Sequence, residues 1–191
     1  MGPLTPRSRV RAWLPITSDS VAQDVRILDL DLPTPHSFHK ESKYGIQILN
    51  FQTVMPVAET SKTNELGFLV RYATDRRELR AQEGVVEKNA PAELQKLFLQ
   101  ANRLVPVGEE PALLVAAWPQ PNDSMGQARA IYDGVLDHMQ YDELPGFGRG
   151  DLRWACQSGY GNCTDFHGLF IFIARKRSVP AKFEIGIPLP E

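Results

Sequence analysis

Cysteine is scarce in this sequence of 191 residues, which contains only Cys156 and Cys163. Two cysteines are too few for a fold that is built on disulfides. Long hydrophobic runs are missing as well, since no apolar stretch approaches the roughly 20 residues that span a bilayer. Residues 1–7 have no apolar stretch behind their positive charge and are not typical of a secretory signal. A cytoplasmic location is therefore the default expectation.

A surplus of charge of one sign is also absent. Lys plus Arg (21) nearly balances Asp plus Glu (23), and the formal net charge is −2. A nucleic acid or an anionic membrane would favour a basic surplus, so we expect neither as a partner. The 42% of hydrophobic and 23% of charged residues are ordinary for a globular protein of one large or two small domains. No cofactor motif is found, so we expect no cofactor, and the oligomeric state stays open.

Four segments in the first eighty residues are apolar or alternate polar with aliphatic side chains, as half-buried strands do. They are residues 10–16, 24–30, 44–51 and 66–73. Turn-rich stretches at 17–20, 32–37 and 60–64 separate them. This spacing predicts an antiparallel β-sandwich, which we place at residues 1–85.

Helical patterns begin further along the chain. Residues 91–99 open with proline and continue with helix formers, which predicts a short helix. We interpret residues 86–123 as a helical and proline-rich connector. An amphipathic helix is predicted from Ser124, as its N-cap, to about Gln140. Its apolar stripe consists of Ala128, Ile131, Tyr132, Val135, Leu136 and Met139.

The last part of the chain, from residue 141, combines a loop, a helix and a strand in this prediction. Residues 141–161 are rich in glycine and aromatics and predict a long ordered loop. Residues 162–177 predict a buried helix, because Asn162 can cap it, Asp165 lies in its first turn and basic residues fill its last turn. A strand is predicted at residues 181–187.

Cys163 is the main candidate for chemistry because it lies in the first turn of the predicted helix. Unpaired backbone N–H groups and the positive end of the helix dipole favour the thiolate there. Gly161 allows a substrate to approach the backbone closely, and the N–H of Cys163 itself could supply half of an oxyanion hole. The alternative is a small buried thiol without chemistry.

The residues around Cys163 form a longer motif. Residues 161–170 have the sequence GNCTDFHGLF, Arg175 follows near the helix end, and residues 179–183 are VPAKF. This order resembles the nucleophile segment of the transglutaminase-like superfamily. Lys182 stands where arginine is commoner in that family, which is a conservative difference. With the preceding helix, the resemblance covers residues from about 126 to 191. The N-terminal strands more weakly resemble the β-domain that precedes this core in some bacterial members.

The resemblance implies an α+β fold with a papain-like core and with Cys163 as nucleophile at a helix N-terminus. It implies a thioester acyl-enzyme, formed from a protein or peptide substrate, that is released to water or to an amine. The family places a histidine and an aspartate after the Pro-Ala-Arg-like segment, but no His or Asp follows His167 in this sequence. We therefore expect residues 124–191 to be the first part of a truncated core, and inactive as such. A truncated core would expose apolar residues of the last helix, namely Phe166, Leu169, Phe170 and Ile173, and would be marginally stable or prone to aggregation.

Gln157 is the second candidate site residue. It precedes Cys163 by six residues, which is the separation of the oxyanion glutamine in papain-like peptidases. Its amide N–H could be directed at a developing oxyanion, and the alternative is a solvated loop glutamine. His167 follows Cys163 by one helical turn and is a weak candidate for the base. We expect it instead to hydrogen-bond the neighbouring loop.

Other functions stay open from the residues alone. The domain at 1–85 could be a non-catalytic module that binds a peptide or a glycan, with a remnant core beside it. Cys156 and Cys163 could instead form a disulfide, or hold zinc together with His138 and His167. Their C-x6-C spacing is not a standard zinc pattern, so we expect no metal.

Overall fold

The structure, a computed structural model, describes residues 6–33, 35–55, 66–77, 91–103, 105–106, 116–143 and 145–186. Both helices and strands are present, and the fold is α+β. The chain divides into two compact units, Met1–Val85 and Val86–Glu191.

Five described strands form antiparallel pairs in the N-terminal unit. They are β1 (Arg9–Ile16), β2 (Gln23–Asp31), β3 (His36–Lys40), β4 (Gln47–Val54) and β5 (Leu69–Arg76). One sheet has the order β1-β4-β3, and a second pairs β2 with β5. Among the described residues of this unit, the buried apolar ones are Leu49, Phe51 and Met55, and the Phe51 ring contacts that of Phe68 edge-on at 5.5 Å. The β-sandwich stays a prediction.

The four predicted strands are confirmed, with ends shifted by a few residues, whereas β3 was not predicted. Its sequence, His36–Lys40, contains one large apolar residue, Phe38, and every residue of the strand is exposed. Without an apolar face, a strand gives no periodic hydrophobic signal. The pairing of β3 with β4 along the whole of its length supplies its stability instead.

The C-terminal unit is built from helices and two short strands. They are α1 (Ala92–Leu99), α2 (Ser124–His138), β6 (Gln140–Tyr141), α3 (Leu152–Ser158), β7 (Tyr160–Gly161) and α4 (Cys163–Lys176). The core lies where α2 and α3 pack on α4, and includes Ile131, Val135, Met139, Leu152, Ala155, Leu169, Phe172 and Ile173. Within the described ranges, no helix is long and apolar enough to span a bilayer.

The predicted helices are confirmed, with two corrections in α2. Its N-cap is Asp123, whose carboxylate accepts the Gly126 N–H at 2.7 Å, and not Ser124. The apolar stripe is narrower than predicted, because Tyr132 and Leu136 are 51% and 49% exposed. The core therefore uses a single row of α2, spaced by four residues.

Helix α4 is buried as predicted, but the expected exposure of its apolar residues is wrong for two of them. Leu169 and Ile173 are both 0% exposed. The reason is that residues before α2 and after α4 add to the core, among them Val105, Trp118 and Val179. Apolar residues on α4 thus have neighbours without any further strand.

The strand predicted at 181–187 is absent from the described part of that segment, residues 181–186. Buried Arg175 holds the segment instead, through hydrogen bonds to the carbonyls of Ala181 at 2.9 Å and Gln100 at 2.8 Å. The Ala181 N–H donates to the Phe98 carbonyl at 3.2 Å. Arg175 therefore joins α1, α4 and this segment, and does more than balance the helix dipole.

The long loop predicted at 141–161 is also wrong in part, because it contains α3 and β7. Leu152 and Ala155 are the buried residues of α3, which is too short for a clear helical period. β7 pairs in parallel with β6, with Gln140 opposite Tyr160. This pairing brings the end of α2 next to the start of α4.

Candidate active site

Cys163 is the first residue of α4, and its side chain is exposed. The preceding residue, Asn162, caps the helix as predicted, since its side-chain oxygen accepts the Thr164 N–H at 2.9 Å. Asp165 completes a capping box, because its carboxylate accepts the Asn162 N–H at 3.1 Å. The thiol therefore lies at a well-formed helix N-terminus.

The capping interactions leave one amide at the start of α4 uncommitted. The N–H groups of Asp165 and Phe166 donate to the Asn162 carbonyl at 3.0 and 3.1 Å. With Asn162 and Thr164 also bonded, the Cys163 N–H is the one in this turn that has no acceptor among the described residues. A free backbone donor thus lies on the same residue as the exposed thiol.

Asp165 is the functional-site residue whose role the sequence analysis missed. Its side chain is 0% exposed, although the motif suggested only a favourable charge in the first turn. Besides Asn162, its carboxylate accepts the N–H groups of Gly148 at 2.6 Å and Gly150 at 3.0 Å. Asp165 therefore ties the loop of residues 145–150 to the turn that carries Cys163.

Glycines make this close approach possible. Gly148 has a φ of +76°, and a Cβ built on it would lie 2.9 Å from Asn162 Nδ2. A Cβ built on Gly161 would lie 2.5 Å from the Asp165 Cβ. Two sequence signals mark the arrangement in retrospect: glycine at every second position of the loop, and a carboxylate two residues after the cysteine.

A comparison with known families matches the part of the chain that carries this site. Residues 115–191 match the model of the Transglutaminase-like superfamily. This segment is transglutaminase-like. The predicted family is thereby confirmed over these residues. Neither the curated proteins nor the solved structures give a match to the chain.

The histidines of the transglutaminase-like segment bond to backbone carbonyls. His167 Nδ1 donates to the Cys163 carbonyl at 2.6 Å, and its ring meets Phe183 edge-on at 5.1 Å. The partner expected for His167 was the neighbouring loop, and it is instead the first residue of its own helix. His138 Nε2 donates to the Cys156 carbonyl at 3.3 Å. No hydrogen bond joins the Cys163 thiol to a histidine in the described part of the chain.

Gln157 lies on α3 and not in a loop as predicted, and its side chain is exposed. Helix α3 packs against α4, which carries Cys163. The neighbouring Cys156 is half-buried, and burial raises the pKa of its thiol to about 11. Both cysteines are free thiols. The described residues contain no group of three or more His, Cys, Asp or Glu side chains placed to hold a metal ion.

Proposed function

We propose that the C-terminal unit carries the nucleophile of a cysteine acyl transferase or amide hydrolase, and that it forms a thioester on Cys163 without turning amides over by itself. The observation that carries this proposal is the exposed thiol at the start of α4, on a residue whose N–H has no acceptor in the described part of the chain. Family membership of residues 115–191 supports it, since cysteine chemistry is what the resemblance implies.

In the proposed reaction the Cys163 thiolate attacks the carbonyl carbon of the acyl donor. A C–S bond forms, and the carbonyl electron pair moves to the oxygen, which the Cys163 N–H then stabilises. Collapse of this intermediate breaks the bond from the carbonyl carbon to the leaving nitrogen or oxygen, which takes up a proton, and leaves a thioester. Water or an amine then attacks the thioester, the C–S bond breaks, and the proton lost by the attacking group regenerates the thiol as the acid or amide is released.

Gln157 is our proposed second oxyanion donor. It has an exposed amide on α3, a helix that packs against α4. Two donors at one oxyanion are typical of cysteine and serine acyl transfer. A Gln157→Ala variant would then lose acylation rate, by up to about 100-fold, while its thiol alkylation rate stays unchanged.

Proton transfer is the step for which the described residues offer no histidine hydrogen-bonded to the thiol. His167 commits Nδ1 to the Cys163 carbonyl, and His138 is bonded to the Cys156 carbonyl. Amide cleavage needs an acid to protonate the leaving amine, whereas an activated ester has a leaving group that needs none. We therefore expect acylation by activated esters, and no turnover of amides unless a further histidine is supplied.

The proposed acyl donor is a protein or peptide. Exposed aromatic rings contact residues of the first two turns of α4 and offer contact area to side chains of such a substrate. The Tyr141 side chain is 68% exposed, with its ring 6.4 Å from that of Phe166. Phe183 is 43% exposed and contacts His167, one turn after Cys163.

Acetylation by p-nitrophenyl acetate tests the proposed function. We expect a hydroxylamine-labile acetyl group on Cys163, located by peptide mass spectrometry, and none on Cys156. The Cys163→Ser variant should lose the labile adduct. If the acetyl group forms on Cys163 no faster in the folded chain than in urea, the proposal is wrong.

A second candidate function, ligand binding by the N-terminal unit, is favoured by the exposure of Trp13. Its side chain is 60% exposed in the centre of β1, and it lies opposite Asn50 of β4. The Asn50 amide is fixed by its donation to the Ala12 carbonyl at 3.0 Å, and an exposed aromatic ring beside a fixed amide suits a peptide or a glycan. Quenching or shift of Trp13 fluorescence on addition of glycan or peptide arrays, absent in Trp13→Ala, would support this function.

A further inference from the structure

The loop of residues 145–150 presents two side chains on a rigid support. Glycine occupies every second position, and the residues between the glycines, Phe147 and Arg149, are exposed. The glycine side of the loop is closed: two of its amides donate to a buried carboxylate. A Cβ built on Gly146 would lie 2.5 Å from Trp154 Nε1. These contacts on the glycine side fix the backbone that carries the exposed side chains of Phe147 and Arg149.

This support lies beside the candidate nucleophile. Gly148, between Phe147 and Arg149, approaches Asn162, the residue immediately before Cys163. The neighbours of Gly148 in the chain thus flank the start of α4. The Arg149 guanidinium makes no ion pair with any described residue, so its charge is available to a ligand.

We propose that Arg149 is a specificity-determining residue, and that the acyl donor carries a carboxylate near the acyl carbonyl. The inference rests on the proposed function of Cys163. A guanidinium binds a carboxylate with two parallel hydrogen bonds, and Phe147 offers an adjacent apolar contact. This combination fits a substrate that places an acidic group and an apolar group against the exposed side of the loop of residues 145–150.

Four carboxylates among the described residues lie near the site. Asp165 is buried and its carboxylate accepts three N–H groups, and Asp151 accepts the Arg153 N–H at the start of α3. Asp142 and Glu143 are exposed and follow β6, and the Asp142 N–H donates to the Gly161 carbonyl at 3.2 Å. These two acidic residues approach the site from the strand that pairs with β7. They repel an anion there, whereas Arg149 attracts one at the loop.

Two alkylating reagents of similar size test the inference with the full chain. Iodoacetate carries a carboxylate and iodoacetamide is neutral, so the ratio of their rates at Cys163 reports the charge around the thiol. We expect Arg149→Gln to lower this ratio by about two- to fivefold at low salt, and Arg149→Glu to lower it further. The difference should shrink at high ionic strength because salt screens exposed charges.

Arg103→Gln is the matched control. Arg103 is exposed and lies three residues after Gln100, whose carbonyl accepts a hydrogen bond from Arg175. Arg175 lies about 18 Å from Cys163 along α4, at a rise of about 1.5 Å per residue. Arg103 is therefore remote from the thiol. Its ratio should equal that of the unaltered chain.

The outcomes separate the inference from the function beneath it. A ratio that is unchanged in both Arg149 variants, or changed equally in Arg103→Gln, overturns the inference alone. A Cys163 that reacts with neutral iodoacetamide no faster than Cys156 overturns the proposed function, and the inference falls with it.

Discussion

Replacing Asp165 by alanine removes the acceptor that holds the loop of residues 145–150 against the start of α4. The carboxylate is 0% exposed and accepts N–H groups from Gly148, Gly150 and Asn162. The alanine variant therefore leaves three backbone donors without their partner.

The cost follows from the burial of each donor. Gly150 is buried, and a buried N–H without an acceptor costs about 1–3 kcal/mol. Loss of the capping box at Asn162 costs about 1 kcal/mol more. Gly148 is exposed, so water replaces its bond at little cost. We expect Asp165→Ala to lower the free energy of unfolding of the C-terminal unit by about 2–4 kcal/mol in total. Asp165→Asn keeps one acceptor oxygen and should lose less.

Hydrogen exchange in a series of urea concentrations, followed by mass spectrometry, measures the stability of the C-terminal unit separately from that of the N-terminal unit. Peptides from α4 report global unfolding of the unit, and peptides over residues 145–150 report release of the loop. The matched control is Asp133→Ala, since Asp133 is a partly exposed carboxylate paired with Arg129 on the surface of α2. If Asp165→Ala shifts neither set of peptides more than Asp133→Ala does, our account of the loop is wrong.

Three further changes have expected outcomes. Alkylation of Cys156 should be slow at neutral pH and should accelerate as the pH rises towards 11, because burial raises the pKa of this thiol. A rate at pH 8 equal to that of a free cysteine would show that the pKa is not raised. Gly161→Ala should unfold or strongly destabilise the C-terminal unit in thermal melts, since its Cβ would meet Asp165 at 2.5 Å, whereas Gly67→Ala, with nothing within 4 Å, should be tolerated. Arg175→Met should lower the free energy of unfolding of the C-terminal unit by about 2–4 kcal/mol, because the Gln100 and Ala181 carbonyls lose a charged donor. Amide hydrogens of the segment after α4 should then exchange faster, and an unchanged exchange rate would contradict the role of Arg175 in holding this segment.

The helix that carries the candidate nucleophile could be predicted from the sequence because its signals are local. Asn162 as a cap and a dense apolar sequence are sufficient to place α4. The same holds for the presence of helix α2, although the sequence predicted a wider apolar stripe than the single row that is buried.

The arrangement around the thiol could not be predicted because it depends on contacts between segments far apart in sequence. Asp165 bonds to Gly148 and Gly150, and nothing local to Asp165 indicates those partners. Likewise, the carbonyl that Arg175 binds at Gln100 lies 75 positions away. Helix α3 could not be predicted because it is short and the segment around it is rich in glycine and aromatic residues, a composition that favours a loop.

The most direct test of the account is the rate at which iodoacetamide modifies Cys163 at neutral pH, in the folded chain and in urea. Our account predicts that folding accelerates this reaction at Cys163 and slows it at Cys156. A folded Cys163 that reacts no faster than the same residue in the unfolded chain would contradict the claim that the start of α4 activates this thiol.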